Sequence, residues 1–135
     1  MNGHQRKHGQ HRDRDNAAEV YLKANIPAIL DFKQTPALET LLDNLKQYVK
    51  DKGKSISTSQ LRNIFARVKP LRTKQSLQLI RPQLAYIAAR QNTAEARSIV
   101  DFLEAVISNV KEDKQVDDFI AFFEAIVAYR KFHHG

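Results

Sequence analysis

The chain has 135 residues, with 22 Lys or Arg against 15 Asp or Glu, a net charge of +7 and no cysteine. That length suits a single domain with its own core, and the absence of cysteine excludes disulfides, a thiol nucleophile and thiolate metal ligands, so the reducing cytoplasm is the expected compartment. No run approaches the roughly 18 apolar residues of a membrane span and the opening residues lack the apolar core of a signal peptide, so no membrane partner is expected.

Residues 1–16 hold no apolar side chain after Met1 and are expected to be a disordered basic arm. His4, His8 and His11 have a spacing that could ligate a metal on a helix, but no carboxylate or thiolate supports them in this Gly-flanked tail, so they read as solvated. From residue 17 to 135 apolar residues recur at three and four, and only four Gly and four Pro interrupt them. The expected fold is all-α, a compact bundle of about five to six helices forming one domain. Val20, Tyr21 and Ala24 start a short helical pattern that Pro27 interrupts before Ile29, Leu30 and Phe32.

Thr35 and Pro36 predict a helix N-cap and first position, followed by an apolar face of Leu38, Leu41, Leu42, Leu45, Tyr48 and Val49 that ends at Gly53. Ser57 with Gln60 predicts a capping box, opening a helix that buries Leu61, Ile64, Phe65 and Val68 and ends near Pro70. A helix starting around Lys74 carries Leu77, Ile80, Leu84 and Ile87, with Pro82 either kinking it or opening a second segment. Residues 84–89 are apolar all round, which places them at the centre of the bundle. Thr93 predicts the cap of a helix striped by Ala96, Ile99, Val100, Leu103, Val106, Ile107 and Val110, with Asp101 and Glu104 on its other face. The last helix, about Gln115 to Phe132, has two apolar stripes, which fits either two-sided burial or one core face and one interface.

Charge is segregated along this chain. The net charge is +2 over residues 1–16, −1 over 17–51, +9 over 52–94 and −3 over 95–135, and from Lys52 to Arg90 nine Lys or Arg occur without one Asp or Glu. An unpartnered solvated face tends to mix signs, so this stretch points to a polyanion. Arg62 and Lys69 fall within about 20° on one flank of their helix, Arg67 lies on the other, and Lys69, Arg72 and Lys74 gather at the next turn. Arg81 borders the following stripe. Tyr86 and Arg90 are neighbours four residues apart, able to stack and pair with a nucleotide; a core aromatic and a helix C-terminal cation are the alternative roles. Catalysis has little to stand on, because the basic stretch offers no carboxylate, no metal cluster and no Gly-rich phosphate loop. Asp117 and Asp118 read as helix-start charge and His133 and His134 as a helix-end tail. No cofactor is expected.

Three motifs in order, STSQLRN at 57–63, LIRPQLAY at 79–86 ending in Arg90, and FFEAIVAY at 122–129 with an aromatic tail, resemble the small subunit of the Csm, or type III-A, CRISPR effector complex over about residues 54–135. The resemblance implies a non-catalytic helical protein, present in several copies beside the other Csm subunits, that helps hold guide RNA and target RNA together in antiviral defence. By position it carries RNA contact to Arg62, Arg81 and Arg90, with Lys54 and Lys69 added on charge and geometry. A helix-turn-helix DNA-binding regulator folded from residues 57–90, and an assembly adaptor without nucleic-acid contact, are the alternatives from other classes.

Overall fold

The computed structural model describes residues 16–135. The expected basic arm therefore lies outside the described residues except for Asn16. Helices α1 (16–24), α2 (Ile26–Ile29), α3 (Leu38–Lys52), α4 (Thr58–Val68), α5 (Lys74–Gln78), α6 (Arg81–Ala89), α7 (Ala94–Ser108) and α8 (Lys114–His134) follow in order, with a 3-10 turn at Gly53–Ser55 after α3. Among the described residues there is no strand. The fold is all-α, as the three-and-four periodicity predicts.

The core is one cluster centred on α7 and α8. Every residue of the predicted α7 stripe is buried, and Phe102 joins it from the flank. On α8 the two stripes are both used: Phe119, Phe122, Phe123 and Ile126 are fully buried, while Ile120, Ala125, Val127 and Tyr129 pack partly buried against them. An aromatic chain crosses the helices, from Phe32 to Phe122 (5.8 Å), Phe122 to Phe102 (6.1 Å) and Phe102 to Tyr48 (5.6 Å), with Phe65 against Phe123 at 5.3 Å. Burying each such ring contributes about 2–3 kcal/mol, which is why α8 sits between α3 and α4 and not at an edge.

Several local readings are corrected. In α1 the inward residues are Ala18 and Leu22 with Tyr21 partly buried, whereas Val20 and Ala24 are exposed. Thr35 is buried and its hydroxyl accepts the Ala37 N–H at 3.3 Å, but the helix proper starts only at Leu38. Ser57 does cap α4 through the Gln60 N–H at 3.0 Å; the reciprocal bond of a capping box forms instead at Thr73 and Ser76, which open α5. Of the two roles open to Pro82 the structure shows the second, a place in the first turn of a separate helix, α6.

The largest correction concerns α6. Only Leu84 and Ala88 are buried, Ile87 partly so, and Tyr86 is 63 % exposed along with Ala85 and Ala89. Alanine is small enough to be tolerated at the surface, so an all-apolar run of this kind needs only one face covered, and α7 supplies that cover.

Chain direction groups the helix ends. His134 Nε2 lies 3.2 Å from the Lys50 carbonyl, Thr58 donates to the Gly135 carbonyl oxygen at 2.8 Å, and Arg130 Nε donates to the Ile56 carbonyl at 2.8 Å. The C-termini of α3 and α8 thus meet the N-terminus of α4. At the opposite end Asp113 accepts the Lys74 N–H at 2.8 Å and Asp118 accepts the Lys33 N–H at 2.9 Å, so these carboxylates serve as loop anchors. Glu19 ties α1 down by pairing with Lys23 (2.8 Å) and Lys52 (3.2 Å) and accepting from Ser98 at 3.4 Å. Burial alone would raise its pKa, but the hydrogen bonds and charges of Lys23 and Lys52 outweigh that and hold it below the usual carboxylate value.

Candidate nucleic-acid interface

Leu61, Ile64 and Val68 point α4 inward. At 100° per residue the opposite, outward face is then Ser59, Asn63 and Ala66, all exposed. Arg62 and Lys69 stand along one border of this face and Arg67 along the other, so small side chains form a floor between two cationic edges. The Arg62 border faces α8, because it shares a stripe with Thr58, bonded to Gly135, and with Phe65, stacked on Phe123. Lys69 continues the row because its backbone remains helical, at φ −52° and ψ −40°.

The Arg67 border faces α6, where Arg67 Nη1 donates to Gln83 Oε1 at 3.0 Å. Gln83, Tyr86 and Arg90 fall within about 60° of one another on α6. Arg90 Nη1 donates to the Tyr86 hydroxyl at 3.0 Å, and its guanidinium carbon lies 5.5 Å from the ring centroid. The pair is exposed, so Tyr86 is not a core aromatic, and the Arg90 side chain is engaged by Tyr86 and not by helix-end carbonyls. Arg67 and Gln83 thus join the outward face of α4 to the Tyr86–Arg90 stripe of α6, and neither stripe carries a carboxylate.

The five residues singled out from sequence are placed unequally. Arg62 and Lys69 lie side by side, exposed, with no side-chain partner among the described residues, and Arg90 is on the adjoining stripe. Lys54 is exposed in the 3-10 turn that precedes α4, again without a partner. Arg81 points away, toward α7, where its Nε meets Glu104 Oε1 at 2.6 Å and its Nη1 donates to Gln78 Oε1 at 3.1 Å. Its charge is largely answered within the protein, as is that of Lys52 by Glu19. Arg72 bends back onto the carbonyls of Lys69 and Leu71. Sequence reasoning passed over Arg67 and Gln83 as site residues; the signal was available, because Arg67 is five residues from Arg62 and so straddles the outward face.

The outer face of α6 bears on the regulator reading. A recognition helix contacts base edges from its N-terminal residues, but α6 begins with Arg81, committed to Glu104, and Pro82. Only Gln83 remains there as a polar base reader. Among the described residues no group of three His, Cys, Asp or Glu is placed to hold a metal ion, and no helix is long and apolar enough to cross a membrane.

A family model described as Csm2 Type III-A matches residues 35–135. Neither the curated proteins nor the solved structures give a match. The matched region takes in α3 to α8 and every residue of the cationic surface. The chain belongs to the Csm2 type III-A family, and is thereby a subunit of the Csm type III-A CRISPR effector complex.

Proposed function

We propose that this member of the Csm2 family serves its complex as a non-catalytic RNA-contacting subunit, laying the outer face of α4 and the adjoining stripe of α6 along the backbone of guide or target RNA and stabilising their pairing. The observation that carries the reading is the surface itself: Arg62, Lys69 and Arg67 border a floor of small residues on α4, Arg90 stands on Tyr86 on the α6 stripe that Gln83 joins to Arg67, and no carboxylate lies on α4, α5 or α6 to neutralise them. Small side chains let a backbone approach closely, and cations on both sides answer phosphates without reading bases. A surface of this kind suits a subunit that must accept guides of any sequence. The same absence of carboxylate, thiol and imidazole leaves the face without a general acid or base, so cleavage falls to other subunits. Neighbouring copies of the chain and the sibling Csm subunits are its protein partners in this reading.

Gel shifts of the full chain on guide RNA, a paired guide–target duplex and random duplex DNA test it. Binding to both RNAs in preference to DNA is expected, weakened by Arg62→Ala and Arg90→Ala equally for unrelated guide sequences. Preference for duplex DNA would favour a regulator. Indifference to all three, alone and in the assembled complex, would leave an assembly adaptor.

A further inference from the structure

The end of α8 carries a second cluster, outside the basic stretch. Phe132 is 71 % exposed, and the Lys46 ammonium of α3 lies over its ring, 5.2 Å from the centroid. The His133 ring meets Phe132 edge-on at 5.0 Å, the His134 ring follows at 6.0 Å, and His134 is held against the Lys50 carbonyl. His133 Nε2 is buried without a hydrogen-bond partner among the described residues. Lys46 and Lys50 are exposed, one helical turn apart, and neither forms an ion pair among the described residues. The charges acting on His133 are those of His134, Lys46 and Lys50; Asp43 lies one turn before Lys46 on α3, Lys131 and Glu124 stand exposed on the outer face of α8, and Arg130 is bonded to the Ile56 carbonyl. Cations outnumber carboxylates around the ring.

We propose that Phe132, with Lys46, Lys50 and His134, forms a stacking platform for an unpaired RNA base whose flanking phosphates rest on the two lysines. The inference rests on the RNA-contacting reading above and adds to it a second contact, at the end of α8 beside α3. A phenyl ring left in water is unfavourable on its own, and a ring flanked by cations is the arrangement that binds single strands by alternating base stacking with phosphate contact. An acidic peptide would engage the lysines but leave the ring uncovered. A fully paired duplex would do the same, since its bases are stacked on one another.

The imidazoles give the platform a signature that α4 lacks. Burial, and then the charges of His134, Lys46 and Lys50, hold His133 below the usual imidazole value. An arriving phosphate supplies the missing opposite charge and favours protonation of His133, so binding takes up a proton there and strengthens as pH falls.

The test is fluorescence anisotropy of the full chain with a short unstructured RNA and with the same strand paired to its complement. Phe132→Ala is expected to weaken binding of the unpaired strand by about five-fold or more and that of the duplex by less than about two-fold, with Phe132→Trp restoring it. Melting temperature should stay unchanged, because the ring is exposed. Wild-type affinity for the unpaired strand should rise as pH falls from 8 to 6, and less so in His133→Gln. If Phe132→Ala binds the unpaired strand at wild-type strength while Arg62→Ala weakens both RNAs, the platform is wrong and the α4 face stands. If it weakens both RNAs alike, or only co-purification with sibling subunits, the patch is not a stacking platform. If Phe132→Ala alone has an effect, the platform stands and the α4 face falls.

Discussion

Arg130 is the cation whose removal should do most damage to the fold and least to RNA contact as such. It is buried to 8 % exposure, its Nε donates to the Ile56 carbonyl at 2.8 Å, and its Nη1 reaches the Gly135 oxygen at 3.4 Å. Its stem also packs where Gly53 lets α3 and α8 close, a Cβ at Gly53 falling 3.3 Å from Arg130 Cδ and 3.0 Å from Val49 Cγ1. Arg130→Met keeps that stem and deletes the donors. A charged hydrogen bond contributes about 1.5–3 kcal/mol, and the Ile56 carbonyl left unpaired adds a further cost, so a loss of about 2–4 kcal/mol is expected. For a domain of this size that lowers the melting temperature by about 8–15 °C. Thermal unfolding followed by far-UV circular dichroism reads it, with the exposed Arg97→Met as a control expected within about 0.5 kcal/mol of wild type. Wild-type melting of Arg130→Met, combined with weaker RNA binding, would refute the structural assignment.

In a double-mutant cycle Arg81 and Glu104 should show a coupling of no more than about 1 kcal/mol, because the side chains are 42 % and 30 % exposed; Arg81→Ala should weaken RNA binding less than Arg62→Ala in the same anisotropy assay. Thr73→Ala should destabilise by about 1 kcal/mol in chemical denaturation, whereas Gln60→Ala, whose side chain makes no return bond at Ser57, should be neutral. Glu19, with its folded pKa held below the ordinary 4.5, contributes stability that is present above that value and lost as pH falls through the folded one. Glu19→Gln should therefore lower stability at pH 7 and flatten the acid limb of a stability-against-pH curve.

Most helices were legible because their apolar stripes are decided locally, by residues three and four apart meeting one surface. The α7 stripe and the caps at Ser57 and Thr93 are read from sequence and found in place. What misled was local pattern whose outcome depends on packing. The run at 84–89 is apolar enough for a bundle centre, but it is mostly alanine, and Phe-rich α8 takes that place because its large rings gain far more from burial. The cationic stretch was legible as a whole and not residue by residue. Lys52 and Arg81 lose their freedom to Glu19 and Glu104, which lie 33 residues before and 23 residues after them in the chain, a pairing that only the fold creates. Arg130 shows the converse, an ordinary basic residue in sequence that the fold buries against a carbonyl.

The most direct measurement of the central claim is the salt dependence of RNA binding. Each phosphate contact contributes a slope of about 0.7 in log affinity against log salt for a single strand. Contacts from Lys54, Arg62, Arg67, Lys69 and Arg90 predict a contribution of about 3–4 to that slope from this surface. Arg62→Ala and Arg90→Ala should each flatten it by about 0.7, while Asp101→Ala on the exposed face of α7 should leave it unchanged. Slopes for both Arg variants that match the wild type, in proteins that melt at the wild-type temperature, would contradict an RNA-facing role for this surface.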